Sequence, residues 1–462
     1  MTSVSPAPEK TFFGHPVGLF YLSFTEAWER FSYYGMQSLL VLYMTKQLLF
    51  PPHVGHVAGF SAYRAAMEAV YGHLTPLALA TNTVGLYTAG VYATPLLGGL
   101  LADRVLGRTK TVTLGACLMA LGHFLMAFDA SFLLALLCLL MGVGCFKGNI
   151  ATQVGDLYAK GDNRRADAFQ FYMFGIQVAV IVAPIVTGGL AQEVAWHWGF
   201  GAAGVGMLIG LVIYLLGRKH LPPEQVIVRG REKPERPKLA PGEGKTVSVL
   251  VALLPVLAIG AIGNQQIGNA YLLWGDANLQ LTFFGFHTPV NWLLSVDAFF
   301  GAVTMAGSVA FWRWYGTRWT EPDEITKLTI GTGIAATAPL ILVAASLHPA
   351  GQRVSIAWAL AFHFINDVGF SNLFPVGLAL YSRAAPKAIG GTMIAVYYLY
   401  MVGCNALVGW LGGFLDKMPG GAFWLMHAGI IAVSAVLLLL ARSVAGRILT
   451  PSVDPEAALA PA

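Results

Sequence analysis

The run TEAWERFSYYGMQ places Glu26, Glu29, Arg30, Tyr33, Tyr34 and Gln37 at helical spacing, so two carboxylates, a guanidinium, two phenols and an amide line one helix face. Such groups can exchange a proton against an ion pair, and a cation released from its pair can hold a carboxylate. The string MGVGCFKGN adds Lys147 one turn beyond Gly142 and Gly144, which allow close backbone approach. GNQQIGNAY supplies Asn264, Gln265, Gln266 and Asn269 amid Gly260, Gly263 and Gly268. Any one of these amides is most simply interhelical glue, and as a set they read as cavity-facing. His363 stands four residues before Asp367, which leaves a structural pair and a proton-carrying pair both open. Asp297 has no sequence-local partner, so it is the better candidate for a titrating or substrate-contacting acid.

The elements that must position these groups are membrane spans. Of 462 residues, 56% are hydrophobic and 11% charged, which excludes a soluble globular enzyme, since such proteins carry roughly a quarter charged residues. Apolar stretches predict twelve spans, at about 17–46, 82–103, 109–128, 131–157, 165–190, 198–217, 246–275, 289–314, 326–347, 354–383, 388–415 and 420–445. The fold class is therefore all-α integral membrane. Residues 218–245 are polar, Pro-rich and basic and read as an aqueous linker between halves 1–217 and 246–462, each with six helices. Of the 28 Lys and Arg, 22 fall on the side that holds both termini, which places the termini in the cytoplasm. No basic face suits nucleic acid. Cys117, Cys138, Cys145 and Cys404 lie in apolar segments and read as packing residues, with no metal site. The charged first span does not fit a cleavable signal peptide and is expected to stay in the mature chain.

Glu26, Glu29, Arg30, Lys147, Asp297 and Asp367 all fall at membrane depth. Each ionised group there costs about 2.5–3.5 kcal/mol on insertion scales, so each is a functional candidate. Four acids face two bases. Full ionisation would leave a net charge of minus two, so burial favours keeping at least one proton, and a bound proton becomes a natural second substrate. A purely structural Arg30–glutamate pair is the alternative, but one arginine cannot neutralise two acids and Lys147 would still need a partner. Snorkelling would explain a shallow lysine, and Lys147 is deep. Pro184, Pro255, Pro339 and Pro375 lie within spans and predict kinks. The tryptophans Trp196, Trp198, Trp312, Trp314 and Trp319, near span ends, read as interface anchors.

The connection GGLLADRVLGRTK, Gly98–Lys110, resembles the loop signature of the major facilitator superfamily, with a weaker echo in WRWYGTR at 312–318. The string E-x-x-E-R-F-S-Y-Y-G, Glu26–Gly35, resembles the hallmark of the proton-dependent oligopeptide transporters (POT/PTR). VYATPLLGGLLADR, GVGCFKGN, FYMFGIQVAVIVAP, WHWGF and FPVGLALYSRAAP extend the likeness along the chain. The resemblance implies two six-helix bundles of the major facilitator type and proton-driven import of di- and tripeptides by alternating access. It implies a coupling network of Glu26, Glu29, Arg30 and Lys147, and a peptide pocket with Tyr33, Tyr34 and Tyr92. It implies no cofactor, protons as the coupling ion, short peptides and the lipid bilayer as partners, a functional monomer, and residence in the cytoplasmic (inner) membrane.

Several positions depart from that pattern. Relatives often pair an arginine on the first span with a glutamate on the seventh; here Gln37 and Gln265 stand there, so a charge of each sign is lost together. The glutamate that relatives place on the tenth span for the peptide amine is Phe370, the asparagine of the fifth span is Gln177, and that of the eighth is Asp297. Asp297, or else Asp367, is then expected to take the amine-recognising role. Asn269 completes the expected substrate set. The linker has no room for the two extra helices common in bacterial relatives, so twelve spans stand. The alternatives are a transporter for another carboxylate-bearing solute, by import or export, and an intramembrane enzyme. The chain contains no H-E-x-x-H and no G-x-S-x-G, so it is expected not to be an enzyme.

Overall fold

The computed structural model describes residues 11–159, 162–221, 239–349 and 351–449. Without water at membrane depth each span must satisfy its own backbone, and the chain is accordingly helical almost throughout. In the first half the long helices are α1 (Val17–Tyr43), α2 (Pro76–Leu101), α3 (Arg108–Leu125), α4 (Phe132–Asp156), α5 (Arg164–Glu193) and α6 (Trp196–Gly217). In the second they are α7 (Glu243–Gly260), α8 (Ala270–Asn278), α9 (Trp292–Gly316), α10 (Glu324–Ala345), α11 (Ala357–Ser371), α12 (Phe374–Ala384), α13 (Gly390–Gly412) and α14 (Gly420–Leu449). Because α7 with α8 forms the seventh span and α11 with α12 the tenth, they make the twelve spans of the major facilitator fold. Of the expected linker 218–245, residues 222–238 lie outside the described residues, as do the chain ends 1–10 and 450–462 on which the siting of the termini bears.

Nine helices among the described residues are long and apolar enough to cross a membrane. The other three spans depart from that pattern for visible reasons. α1 carries Glu26, Glu29 and Arg30, α3 opens on Arg108 and Lys110, and α11 and α12 are each too short alone. The tenth span corrects the sequence expectation: Pro375 does not kink a continuous helix but sits in the first turn of a new one, after a break at Asn372 and Leu373. The seventh breaks between Gly260 and Asn269, where glycines and amides are poor helix formers. Pro184, Pro255 and Pro339 do lie inside helices, as does Pro95.

The second span starts earlier than hydropathy suggests. Pro76 pre-sets its first turn and the Thr75 hydroxyl accepts from the Ala78 N–H at 3.1 Å. Between α1 and α2 lie two short helices, Pro51–Val54 and Phe60–Tyr71. Met67 of the second packs on Leu74, Ala78 and Leu79. The Glu68 carboxylate is held below its usual range by the Leu74 N–H and by Arg64.

The chain divides into two compact units, one of Met1–Arg231 with Gly268–Phe299 and one of Glu232–Ile267 with Phe300–Ala462. Helix α8 and the start of α9 thus belong with the first-half helices, and hydrogen bonds explain it. Asn269 Nδ2 donates to the Thr81 carbonyl at 3.0 Å, Asn291 to the Ser38 carbonyl, and Gln192 to Asn291, while Lys46 pairs with Asp276 at 2.7 Å.

Glycine sets the helix spacing inside each unit. A methyl group at Gly98 of α2 would stand 1.9 Å from the Gly144 carbonyl oxygen of α4, and one at Gly331 of α10 would stand 2.7 Å from the Gly369 carbonyl of α11. The neighbouring Gly99 would meet nothing within 4 Å. Gly98→Ala is therefore expected to lower stability by about 1–3 kcal/mol, the usual cost of overpacking. Gly99→Ala should stay within about 0.5 kcal/mol. Thermal unfolding of both variants in detergent checks the contrast.

Candidate functional site

Helix α1 brings its charged face together as the spacing requires. Arg30 Nε donates to Glu26 Oε1, one turn back, at 2.8 Å and also lies 2.8 Å from Glu29 Oε2. Glu26, Glu29 and Arg30 are 2%, 0% and 4% exposed, so water does not screen them. Glu26 Oε2, both oxygens of Glu29 and Arg30 Nη2 make no hydrogen bond. A carboxylate can accept several hydrogen bonds, so this pair of acids is undersupplied with donors as well as with positive charge.

Lys147 enters from α4. Its ammonium sits over the Tyr92 ring of α2 at 4.6 Å from the centroid, and its charge is felt at Glu26, Glu29 and Arg30. Among the described residues it makes no ion pair within 4 Å, so the lysine is held on an aromatic face near the acids rather than drawn out to the membrane surface. Tyr33 lies under Arg30 with the guanidinium carbon 5.9 Å from its ring, and Tyr34 meets Tyr33 edge-on at 5.1 Å.

Two phenols that sequence reasoning missed complete this region. Tyr87 of α2 lies within electrostatic reach of Glu29 and Tyr33, and Tyr172 of α5 within reach of Glu26 and Arg30. Both are buried hydroxyls in otherwise apolar helices, a signal present in TVGLYTAGVY and FQFYMFG. Asp297, half-buried on α9, lies within electrostatic reach of Tyr34 and of Tyr271 on α8. The first unit thus brings together Glu26, Glu29, Arg30, Tyr33, Tyr34, Tyr92, Lys147 and Asp297. Gln177 is half-buried on α5. The Gln37 amide nitrogen is 3.8 Å from where a side chain on Gly268 would begin. Asn269 is buried and spends its amide on Thr81, the glue role rather than an open one.

Asp367 and Gln265 lie in the other unit, where they form a polar chain. Asn405 Nδ2 donates to Gln265 Oε1 at 3.3 Å, Gln265 Nε2 to Asn264 Oδ1 at 3.0 Å, and Asn264 Nδ2 to Asp367 Oδ1 at 3.5 Å. Gln265 is therefore engaged at both ends of its amide. Asp367 and His363 are both buried on α11. Gln266 Nε2 lies 2.9 Å from His427 Nε2; His427 Nδ1 donates to the Phe423 carbonyl, which leaves Nε2 free to accept. Phe370 stacks on Phe374 with centroids 5.8 Å apart and planes at 20°. Among the described residues no group of three or more His, Cys, Asp or Glu could hold a metal ion.

Residues 109–229 match the family described as PTR2, the POT family. The chain is 30% identical to the uncharacterized transporter YclF of Bacillus subtilis, over 94% of each chain. It is also 30% identical to a di-/tripeptide transporter of Lactococcus lactis subsp. cremoris, over 85% of this chain and 88% of that one. A crystal structure of a mutant peptide transporter POT in complex with alafosfalin is similar at a TM-score of 0.84 and 27% identity, covering 96% of this chain and 98% of that one.

Removing Arg30 would leave two buried carboxylates without their cation. Arg30→Ala is expected to destabilise the protein by about 3–5 kcal/mol at neutral pH, as for a broken buried ion pair. The deficit should shrink as the pH falls, because a protonated carboxyl no longer requires the guanidinium. Melting curves of the purified variant from pH 8 to pH 5 measure both the loss and its sign.

Proposed function

The chain belongs to the POT family, and from that premise we propose that it is a proton-coupled symporter that imports di- and tripeptides by alternating access of two six-helix halves, 1–217 and 246–462. The observation that carries this reading is the dry cluster on α1, where one guanidinium serves two carboxylates. Positive charge falls short by one, and Lys147 is close enough to act on both acids. A proton arriving at Glu26 or Glu29 removes one claim on Arg30, or releases Lys147 to other work. The released cation then holds the peptide carboxylate.

With its charges neutralised in pairs, the site can be closed without carrying a bare ion through lipid. Proton loss on the cytoplasmic side restores the internal ion pair and expels the peptide. A potential of 100 mV adds about 2.3 kcal/mol per charge moved, enough for accumulation of roughly fifty-fold. The basic residues support a cytoplasmic-membrane location with both termini inside. A monomer suffices for this cycle, because both halves lie in one chain.

Arg30 and Lys147 take the carboxylate end. Tyr33, Tyr34 and Tyr92 give ring faces and hydroxyls around it, with Gln37 and Gln177 as neutral donors. Gln265 and Asp367 line the contribution of the second half, and Asn269 helps to hold α8 in place. Asp297 takes the peptide amine, because it lies within electrostatic reach of Tyr34 while Phe370 offers only an aromatic ring. The same stacked Phe370 favours one further reading, a different carboxylate-bearing solute that lacks an amine.

Uptake of labelled dialanine into liposomes with and without an imposed pH gradient tests the function. The wild-type protein should accumulate peptide only with the gradient. Glu29→Gln and Lys147→Ala should lose uphill accumulation and keep peptide exchange, and uphill uptake in both variants would refute the coupling scheme. Asp297→Asn should weaken binding of free dialanine roughly ten- to hundred-fold, the worth of one charge-assisted hydrogen bond, and leave an amine-blocked dipeptide unaffected. Equal affinities of wild type and variant for both ligands would move the amine elsewhere.

A further inference from the structure

The segment TFFGHPVGLFYLSFTE at 11–26 has a counterpart in TFFGFHTPVNWLLSVD at 282–297. Both open on Thr-Phe-Phe-Gly and close on an acid, Glu26 in one and Asp297 in the other. The two openings also share a shape. Thr11–Phe12 pairs antiparallel with His15–Pro16, and Thr282–Phe283 with Phe286–His287. In each turn a phenylalanine takes the left-handed conformation, Phe13 at φ +49° and Phe284 at φ +50°, and a glycine follows, Gly14 at +78° and Gly285 at +81°. Among the described residues these two phenylalanines are the non-glycine residues with positive φ.

Positive φ at both central positions marks a tight hairpin turn that ordinarily selects Asn, Asp or Gly at the first of them. Phenylalanine there strains the backbone, and both rings point outward: Phe13 is 83% exposed and Phe284 fully so. Strain combined with an exposed ring is a poor arrangement in water. It makes sense where the ring has somewhere apolar to go.

Each hairpin runs into a membrane helix, and its aromatic surface continues onto that helix. Phe12 meets Phe20 of α1 at 4.7 Å, Phe20 meets Phe171 of α5 at 5.1 Å, and Phe286 meets Trp292 of α9 at 6.1 Å. Beyond them Phe24 and Phe299 are 54% and 55% exposed and extend the apolar surface along the two spans. We propose that Phe13 and Phe284 are paired anchors seated in the lipid headgroup–acyl interface, one in each leaflet, and that they set the depth of the two acid-bearing helices. The leaflet assignment rests on the twelve-span topology, in which the first and eighth spans run in opposite directions, and not on the peptide or proton reading.

The geometry gives the anchors a purpose. Glu26 and Asp297 each lie ten residues beyond the last residue of their hairpin. From Val17 to Glu26 a helix rises about 14 Å, roughly half of a 30 Å hydrocarbon core. An anchor at the interface therefore holds Glu26 near the middle of the membrane, while Asp297 stands five residues into α9 behind the second hairpin.

The test uses the full chain in phosphatidylcholine nanodiscs, with the four native cysteines replaced. Phe13→Cys and Phe284→Cys carry a spin label, and His73→Cys, whose side chain is 85% exposed in the native protein, is the aqueous control. Interface seating predicts that a water-soluble nickel relaxant reaches the hairpin labels about threefold less than the control while oxygen reaches them readily. Nickel access equal to the control would overturn the proposal, and so would protection from both reagents, which would mean that protein covers the rings. A stability arm distinguishes an anchor from a simple turn. Phe284→Asn suits the left-handed backbone better than phenylalanine, so a turn alone predicts an unchanged or higher melting temperature. An anchor predicts a lower one in nanodiscs, and Phe284→Trp should restore it.

Discussion

One guanidinium shared by two buried carboxylates is the constraint on which the rest of this protein depends. At the same short distance, charges attract several times more strongly in a poorly polarisable interior than in water, so Arg30 holds Glu26 and Glu29 firmly. Desolvation works against all three at once and is only partly repaid, since one cation cannot satisfy two anions. The cluster is stable only with additional positive charge, whether from Lys147 or from a proton. Lys147 is held by an aromatic ring instead of a carboxylate.

The helices around this cluster are arranged to bring long polar side chains together without admitting water. Gly98 against Gly144 lets α2 and α4 touch backbone to backbone, and that approach puts Tyr92 under Lys147. Thr187 of α5 donates to the Gly35 carbonyl of α1 at 3.1 Å, fixing the side of α1 opposite its charges. In the other unit, the break in the seventh span exposes Asn264 and Gln265 in succession, so that a regular helix gives way to a chain of amides ending at Asp367.

Much of this could be read from the chain itself, and the failures have physical causes. The charged face of α1 and the depth of Lys147 follow from helical spacing and the cost of burying charge, and the structure places those residues together. Asp297 was legible as an isolated acid, while its nearness to Tyr34 depends on α8 and α9 packing with first-half helices, which spacing along the sequence does not encode. Tyr87 and Tyr172 escaped notice because a tyrosine in an apolar helix is ordinarily packing, and only neighbours from other helices make it part of a site. The tenth span was read as continuous, because hydropathy averages over the break at Asn372 and a single proline suits either a kink or a new start. The short helices before α2 are amphipathic rather than apolar, so a search for spans passes over them.

The first unit holds α8 and the start of α9 by contacts that are individually modest. These are Asn269 on Thr81, Asn291 on Ser38, Gln192 on Asn291, and the half-exposed pair of Lys46 and Asp276. A neutral hydrogen bond contributes about 1 kcal/mol net, and an ion pair this exposed about 0–1 kcal/mol. Together they amount to a few kcal/mol, a sizeable share of the roughly 5–15 kcal/mol by which a folded protein is stable.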